Sequence, residues 1–184
     1  MPGGKAKGDW VLMVTFWRRL FGGKRDETAS DRLYQAVVAV GRDPAWYIEG
    51  GVPDTVDGRF DMIAAVLSLV LLRLEKAGEP ARAATVLLAE RFVDDMEGSL
   101  RQIGIGDLLV GKHVTRMMGA LGGRLGAFRD AGGDLAAPVR RNIFHENPPS
   151  EAALAFVAER LARFRERLDE QAIDALLDGS LPRP

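Results

Sequence analysis

One segment has to lie at the centre of whatever fold this chain adopts. Between residues 60 and 74, apolar side chains recur every three or four positions, and most of the positions between them are apolar as well. A helix with that spacing buries an apolar stripe, and a helix that is apolar on nearly every side has to be enclosed by other elements. The sequence therefore predicts a central helix surrounded by others. Its apolar repeat is Phe60, Ile63, Ala64, Leu67, Val70, Leu71 and Leu74.

The rest of the chain from residue 28 onward also has a helical period. Residues 28–31 have the form of a capping box and predict the start of the first helix. No segment alternates between apolar and polar residues for long enough to predict a strand. We therefore expect an all-α protein, in which residues 28–184 form a single compact helical domain of about six or seven helices. Further helices are predicted at residues 81–102, from 106 or 107 onward, at 135–144 and from 150 onward.

The predicted helix after residue 106 contains an unusual number of glycines. Gly119, Gly122, Gly123 and Gly126 lie within it, and each costs up to about 1 kcal/mol relative to Ala inside a helix. Such a run favours either the close approach of a neighbouring helix or a flexible stretch.

The first 27 residues differ in character from the rest. Residues 1–25 carry six Lys or Arg and one Asp, whereas the remainder has more acidic than basic residues. The apolar run from Trp10 to Phe21 is interrupted by arginines and is too short to cross a bilayer. Its composition predicts contact with an anionic membrane surface or RNA, and a solvated tail is the alternative. The residues expected at a membrane surface are Trp10, Phe16, Trp17, Arg18, Arg19 and Phe21.

The residue types that support catalysis or metal binding are scarce. The chain has no Cys, and its two histidines, His113 and His145, lie outside the Glu-x-x-His pairs of helical-bundle metal sites. Residues 106–113 approach a phosphate-binding loop but end in His113 where that loop needs Ser or Thr. We therefore expect no enzyme activity, no catalytic residue, no metal and no cofactor. Both histidines are expected at the surface or at helix ends.

Two short segments contain more glycine and charge than a turn between helices requires. The first junction is Gly51–Asp61, and the second junction is Gly104–Lys112. Each one precedes or opens an apolar helix. Near them, Asp94 and Asp95 lie about 100° apart on a predicted helix, so they cannot form a catalytic pair. We expect one of the two to pair with a basic residue of the second junction.

The sequences of the two junctions also resemble motifs of a known family, the ubiquinol–cytochrome c chaperones. The resemblance covers residues 33–142 and implies an all-α, non-enzymatic protein. It also implies a bacterial relative at the cytoplasmic face of the inner membrane, peripherally associated with it. The implied partners are nascent or newly inserted cytochrome b, a small partner protein and the ribosome, with no DNA. Besides the junctions, the resemblance rests on Tyr47, Phe92–Met96, Leu100–Ile103 and Arg141–Ile143.

The position and charge of the junctions, taken together with the resemblance, predict a specific arrangement. We expect them to lie close together and to form one polar rim beside an apolar groove that receives cytochrome b. A fold that used the junctions only as turns would not need so many charged residues in them. The partner-binding residues expected on this rim are Asp54, Asp57, Arg59, Asp61, Asp107 and Lys112.

An alternative function remains open at this level. The chain could be a peripheral membrane or RNA-associated adaptor that uses residues 10–25 and has no specificity for cytochrome b. Assembly of ubiquinol–cytochrome c reductase in a deletion strain separates the two functions.

Removal of residues 1–25 is expected to weaken association with anionic membranes. Each basic residue near such a surface contributes about 1 kcal/mol, and this attraction falls as ionic strength rises. Flotation with anionic liposomes at low and high salt measures the effect. Equal flotation with and without the segment would contradict the prediction.

Overall fold

The computed structural model describes the backbone of residues 24–102, 104 and 106–184, and the side chains from residue 28 onward except those at 103, 105, 107 and 108. The described residues contain no strand, and six of their helices have seven residues or more, so the predicted all-α fold is confirmed. The helices are α1 Lys24–Gly41, α2 Ala45–Ile48, α3 Val56–Ala77, α4 Arg82–Gln102, α5 Asp107–Asp130, α6 Ala136–Asn142, α7 Glu151–Glu170 and α8 Ile173–Leu177, with a 3₁₀ turn at Glu79–Ala81.

Helix α1 begins earlier than the sequence predicted. The helix already includes Lys24, which is where the described backbone begins, so Thr28 lies inside the helix and is not its N-cap. Residues 24–27 are Lys, Arg, Asp and Glu, and three of these four types have favourable helix propensities. The helix can therefore extend past the capping sequence. The residues before it, including the predicted membrane-surface segment from Trp10 to Phe21, lie outside the described part of the chain.

Helix α3 is the centre of the structure, as its apolar pattern predicted. Every residue from Asp61 to Leu72 is buried, and α1, α4, α5 and α7 all pack against this helix. The helix begins at the N-cap Thr55, whose hydroxyl accepts a hydrogen bond of 3.1 Å from the Gly58 amide. At the other end it stops at Gly78, which has a positive φ of 70°. No helix in the described residues is long and apolar enough to span a bilayer.

The glycines of α5 are not explained by close helix packing. A Cβ added at Gly119, Gly122, Gly123 or Gly126 would meet no other atom within 4 Å. These positions therefore border open space. The opposite side of α5 faces the core through Leu121 and Phe128, which are both buried.

Leu67→Ala is expected to lower the free energy of unfolding by about 2–5 kcal/mol, because it leaves a cavity beneath four packed helices. Leu67 is fully buried, and chemical denaturation followed by circular dichroism gives the value. Leu109→Ala is the matched control, since Leu109 is 55% exposed. If Leu67→Ala lowers the free energy of unfolding no more than Leu109→Ala does, the core does not centre on α3.

Candidate functional site

The first junction forms an exposed surface beside two exposed apolar side chains. Asp54, Asp57 and Arg59 are all exposed. Ile48, the last residue of α2, is 80% exposed, and Val56, the first residue of α3, is 72% exposed. These two side chains lie at either end of the loop that joins α2 to α3. The loop between α2 and α3 is thus flanked by exposed apolar side chains and carries exposed charged residues.

Local hydrogen bonds hold this loop in a fixed shape. The amide of Val52 donates to the Trp46 carbonyl at 3.1 Å, and the Trp46 indole donates to the Val40 carbonyl at 2.7 Å. Gly58 is required for packing, because an added Cβ would lie 2.0 Å from the Pro53 carbonyl oxygen. The first junction therefore presents its side chains from a rigid base.

One ion pair organises the exposed charges of the first junction. The Arg59 Nε donates to Asp54 Oδ1 at 2.6 Å, and this hydrogen bond lowers the pKa of the Asp54 carboxyl. Asp57 lies in the first turn of α3, where a carboxylate interacts favourably with the positive end of the helix dipole. Exposed charged side chains therefore lie both before and after Val56 in the first junction.

Asp61 is not one of the exposed charged residues of the first junction, which corrects the sequence prediction. Its side chain is buried, and its two oxygens are bound from two directions. Arg124 of α5 donates from Nη2 to Oδ1, and Nε2 of His145 lies 2.8 Å from Oδ2. Position 61 is the sixth residue of α3, where that helix has entered the core, so its carboxylate is not part of the exposed surface. We call Asp61, Arg124 and His145 the Asp61 cluster.

The Asp61 cluster joins three parts of the chain. Besides binding Asp61, Arg124 donates to the Asn142 carbonyl at the end of α6 at 3.0 Å, and its guanidinium lies 5.4 Å from the centre of the Phe60 ring. Burial raises the pKa of Asp61, and Arg124 and His145 act against that shift. Burial also lowers the pKa of Arg124. The cluster is therefore a buried ion pair that carries a desolvation cost and fixes helix positions.

His145 has a structural role that the sequence analysis missed. It is exposed, as expected, but its ring reaches back to the buried Asp61. His145 and Glu146 have positive φ angles of 48° and 69°, a backbone region that costs non-glycine residues energy. The Asn147 side chain supports this turn by donating to the His145 carbonyl at 2.8 Å. No local sequence signal links residues 61 and 145, because they are brought together only by the fold.

The second junction is less fully described, and its contacts differ from those expected. The side chain of Asp107 lies outside the described residues, and Lys112 is exposed on α5. No hydrogen bond or ion pair among the described side chains joins Lys112 to the first junction. Instead, α5 reaches Asp61 through Arg124, twelve residues from Lys112 or about 18 Å of helix. A single rim that includes both junctions stays a prediction.

The acidic residues of α4 bind partners other than those expected. Asp95 accepts a hydrogen bond of 2.7 Å from the hydroxyl of Tyr34 on α1, and Asp94 lies 3.8 Å from Arg91 on its own helix. Burial, together with the bond to Asp95, raises the pKa of Tyr34. Asp95 does connect two helices, but it does so through α1 and not through a basic residue of the second junction.

The described residues contain no group of three or more His, Cys, Asp or Glu side chains arranged to hold a metal ion. The contacts of the most buried carboxylate, Asp61, are with Arg124 and His145. That arrangement is suited to holding helices together.

Comparison with known proteins identifies the family. A family model described as ubiquinol-cytochrome C chaperone matches residues 49–183, which is more than half of the chain. The chain belongs to this family. The match includes α7 and α8, which the resemblance seen in the sequence left out, and it begins later than residue 33.

A solved structure supports the assignment. The crystal structure of the Cbp3 homolog from Brucella abortus is 29% identical to this chaperone-family chain, and the match covers 94% of this chain and 96% of that one. The TM-score is 0.74, so the two share their fold. No curated protein matches this sequence.

Asp61→Asn is expected to destabilise the protein by about 3–5 kcal/mol, because Arg124 would remain buried without its carboxylate. Thermal and denaturant unfolding measure the change. Adding Arg124→Met is expected to recover part of the stability, since it removes the unpaired charge.

Asp54→Asn is the matched control, because it breaks an Asp–Arg pair at the exposed first junction. It is expected to change stability much less, since exposed ion pairs contribute little. Equal losses in the two Asn variants would contradict a structural role specific to the Asp61 cluster.

Proposed function

We propose that this protein is a non-enzymatic assembly chaperone that binds the cytochrome b subunit and promotes the biogenesis of ubiquinol–cytochrome c reductase. Membership of the ubiquinol-cytochrome C chaperone family is the observation that carries this proposal. The similarity in fold to the Cbp3 homolog is consistent with it.

The first junction is the part of the described surface best suited to hold such a client. A segment of a membrane protein exposes apolar side chains before it reaches its final place, and a chaperone surface has to cover them. Ile48 and Val56 supply exposed apolar area at the two ends of the α2–α3 loop, and Asp54, Asp57 and Arg59 lie within three residues of Val56. Because the loop beneath is held by hydrogen bonds, little conformational entropy is lost when a client binds.

The Asp61 cluster supports a non-enzymatic role. A carboxylate that acts in acid–base catalysis has to reach a reacting group in a cleft. Asp61 is instead bound by Arg124 and His145. Its hydrogen bonds connect α3 to α5 and to the loop after α6. The buried charges of the Asp61 cluster therefore have a structural role.

The proposal also includes further partners of the chaperone and its location in the cell. A small partner protein and the ribosome would bring the chaperone to newly made cytochrome b, and the protein would act in the cytoplasm, peripherally on the inner membrane. The domain that does this is proposed to be residues 28–184. The alternative of a membrane or RNA adaptor rests on the basic, aromatic residues 10–25.

Arg59→Ala is expected to leave the protein folded and to lower both the cytochrome b that co-purifies with it and the amount of assembled reductase. Arg59 is exposed and lies within three residues of Val56, so its loss changes the binding surface and leaves the core intact. Ile48→Ser together with Val56→Ser is expected to have a larger effect, because it removes the apolar contact area. Quantitative pull-down and reductase assembly in a deletion strain measure the outcome.

Arg163→Ala is the matched control, since Arg163 is an equally exposed arginine on α7. Wild-type levels of co-purified cytochrome b in the first-junction variants would count against this site. Asp107→Ala tests whether the second junction takes part, and an unchanged pull-down for that variant would restrict the site to the first junction.

A further inference from the structure

The outer face of α5 combines positive charge with an exposed apolar side chain. Leu109 is 55% exposed, and Lys112 and Arg116 are exposed as well. Their spacing of three and four residues places all three on one side of the helix. The side chains on the opposite side are buried, namely Val110, Leu121 and Phe128. We call Leu109, Lys112 and Arg116 the outer face of α5.

Among the side chains that the structure describes, no acidic group neutralises the charges of this face. No Asp or Glu occurs from residue 108 to residue 129. Arg116 lies 3.0 Å from the ring of His113, and Glu97 of the adjacent α4 already binds Arg101 at 3.2 Å. No ion pair of the described side chains includes Lys112 or Arg116. Two cations are therefore available to an anionic partner.

Further along α5, the same side of the helix has almost no side chains. Gly119 and Gly123 continue the spacing of the outer face, and both are exposed. No atom lies within 4 Å of where their Cβ atoms would be. A broad, flat partner can therefore approach the helix backbone over several turns. This geometry differs from a groove that encloses a single peptide.

We propose that the outer face of α5 lies on a membrane surface that contains anionic phospholipids. Lys112 and Arg116 bind the phosphate groups, and Leu109 inserts among the lipid head groups, as in other amphipathic helices that lie in the interface. A bilayer fits better than single-stranded RNA, which is bound mainly by stacking on aromatic side chains. Leu109, Lys112 and Arg116 include none.

This inference rests on the proposed function only for its setting at a membrane. Vesicle binding is measured without cytochrome b, so a negative result leaves the chaperone proposal intact. It is also separate from the predicted membrane contact of residues 10–25, because that segment remains present in every variant.

The first experiment reverses the two charges. Full-length Lys112→Glu/Arg116→Glu is compared with Arg163→Glu/Arg167→Glu, which makes the same charge change at the same spacing on α7. The α5 variant is expected to bind vesicles of phosphatidylcholine and phosphatidylglycerol about tenfold or more weakly than the control variant. Thermal melting verifies that both are folded, and Lys112→Gln/Arg116→Gln replaces the α5 variant if it is not.

Equal binding by the two variants would overturn the proposal, because it would assign vesicle binding to net charge or to another segment. Absence of vesicle binding by the wild-type protein would also overturn the proposal. A single-stranded RNA probe is tested in parallel. Loss of RNA binding in the α5 variant, with vesicle binding unchanged, would assign the face to RNA and reject the membrane.

A second experiment detects the contact directly. The chain has no Cys, so Leu109→Cys carries a polarity-sensitive dye at one site, and Ala155→Cys on the exposed side of α7 is the control. Anionic vesicles are expected to shift the emission to the blue at residue 109 and not at residue 155. The absence of a shift at 109, or an equal shift at both positions, would contradict insertion of the outer face.

Discussion

The structure depends on keeping α3 out of water. Its residues from Asp61 to Leu72 are all buried, and the gain from burying that apolar surface is the main free energy available to fold the chain. A helix buried on every side needs several neighbours, and here α1, α4, α5 and α7 supply them. The positions of the other helices follow from this requirement.

The same requirement explains the Asp61 cluster. Because the first turns of α3 enter the core, Asp61 enters it as well, and a buried carboxylate is costly unless it is paired and hydrogen-bonded. Arg124 and His145 provide that pairing from α5 and from the loop after α6. The cluster also ties the position of α5 to that of α3, because Arg124 on α5 binds Asp61 on α3.

This arrangement separates the surface into regions with different chemistry. The first junction exposes Val56 and charged residues, with Ile48 exposed at the other end of the α2–α3 loop. The outer face of α5 has two basic side chains that no described acidic side chain binds, and little side-chain bulk. A chaperone of the ubiquinol-cytochrome C family that holds a membrane-protein client at one surface and a lipid surface at another would use both. The rigid connection through Arg124 would then fix the two surfaces relative to each other.

The sequence by itself determined the helical class, the central position of α3 and the family, because these depend on local periodicity and on ordered motifs that can be read along the chain. It also identified the first junction, since Gly58 and Thr55 act within a few residues of each other. Only the tertiary structure decided that Asp61 is buried and that His145 binds it, because that contact joins residues 84 positions apart. The sequence alone does not distinguish a charged residue that faces a binding partner from one that pairs with an arginine in the core. For Asp61, the packing of α5 against α3 decides between the two, because it brings Arg124 to the carboxylate.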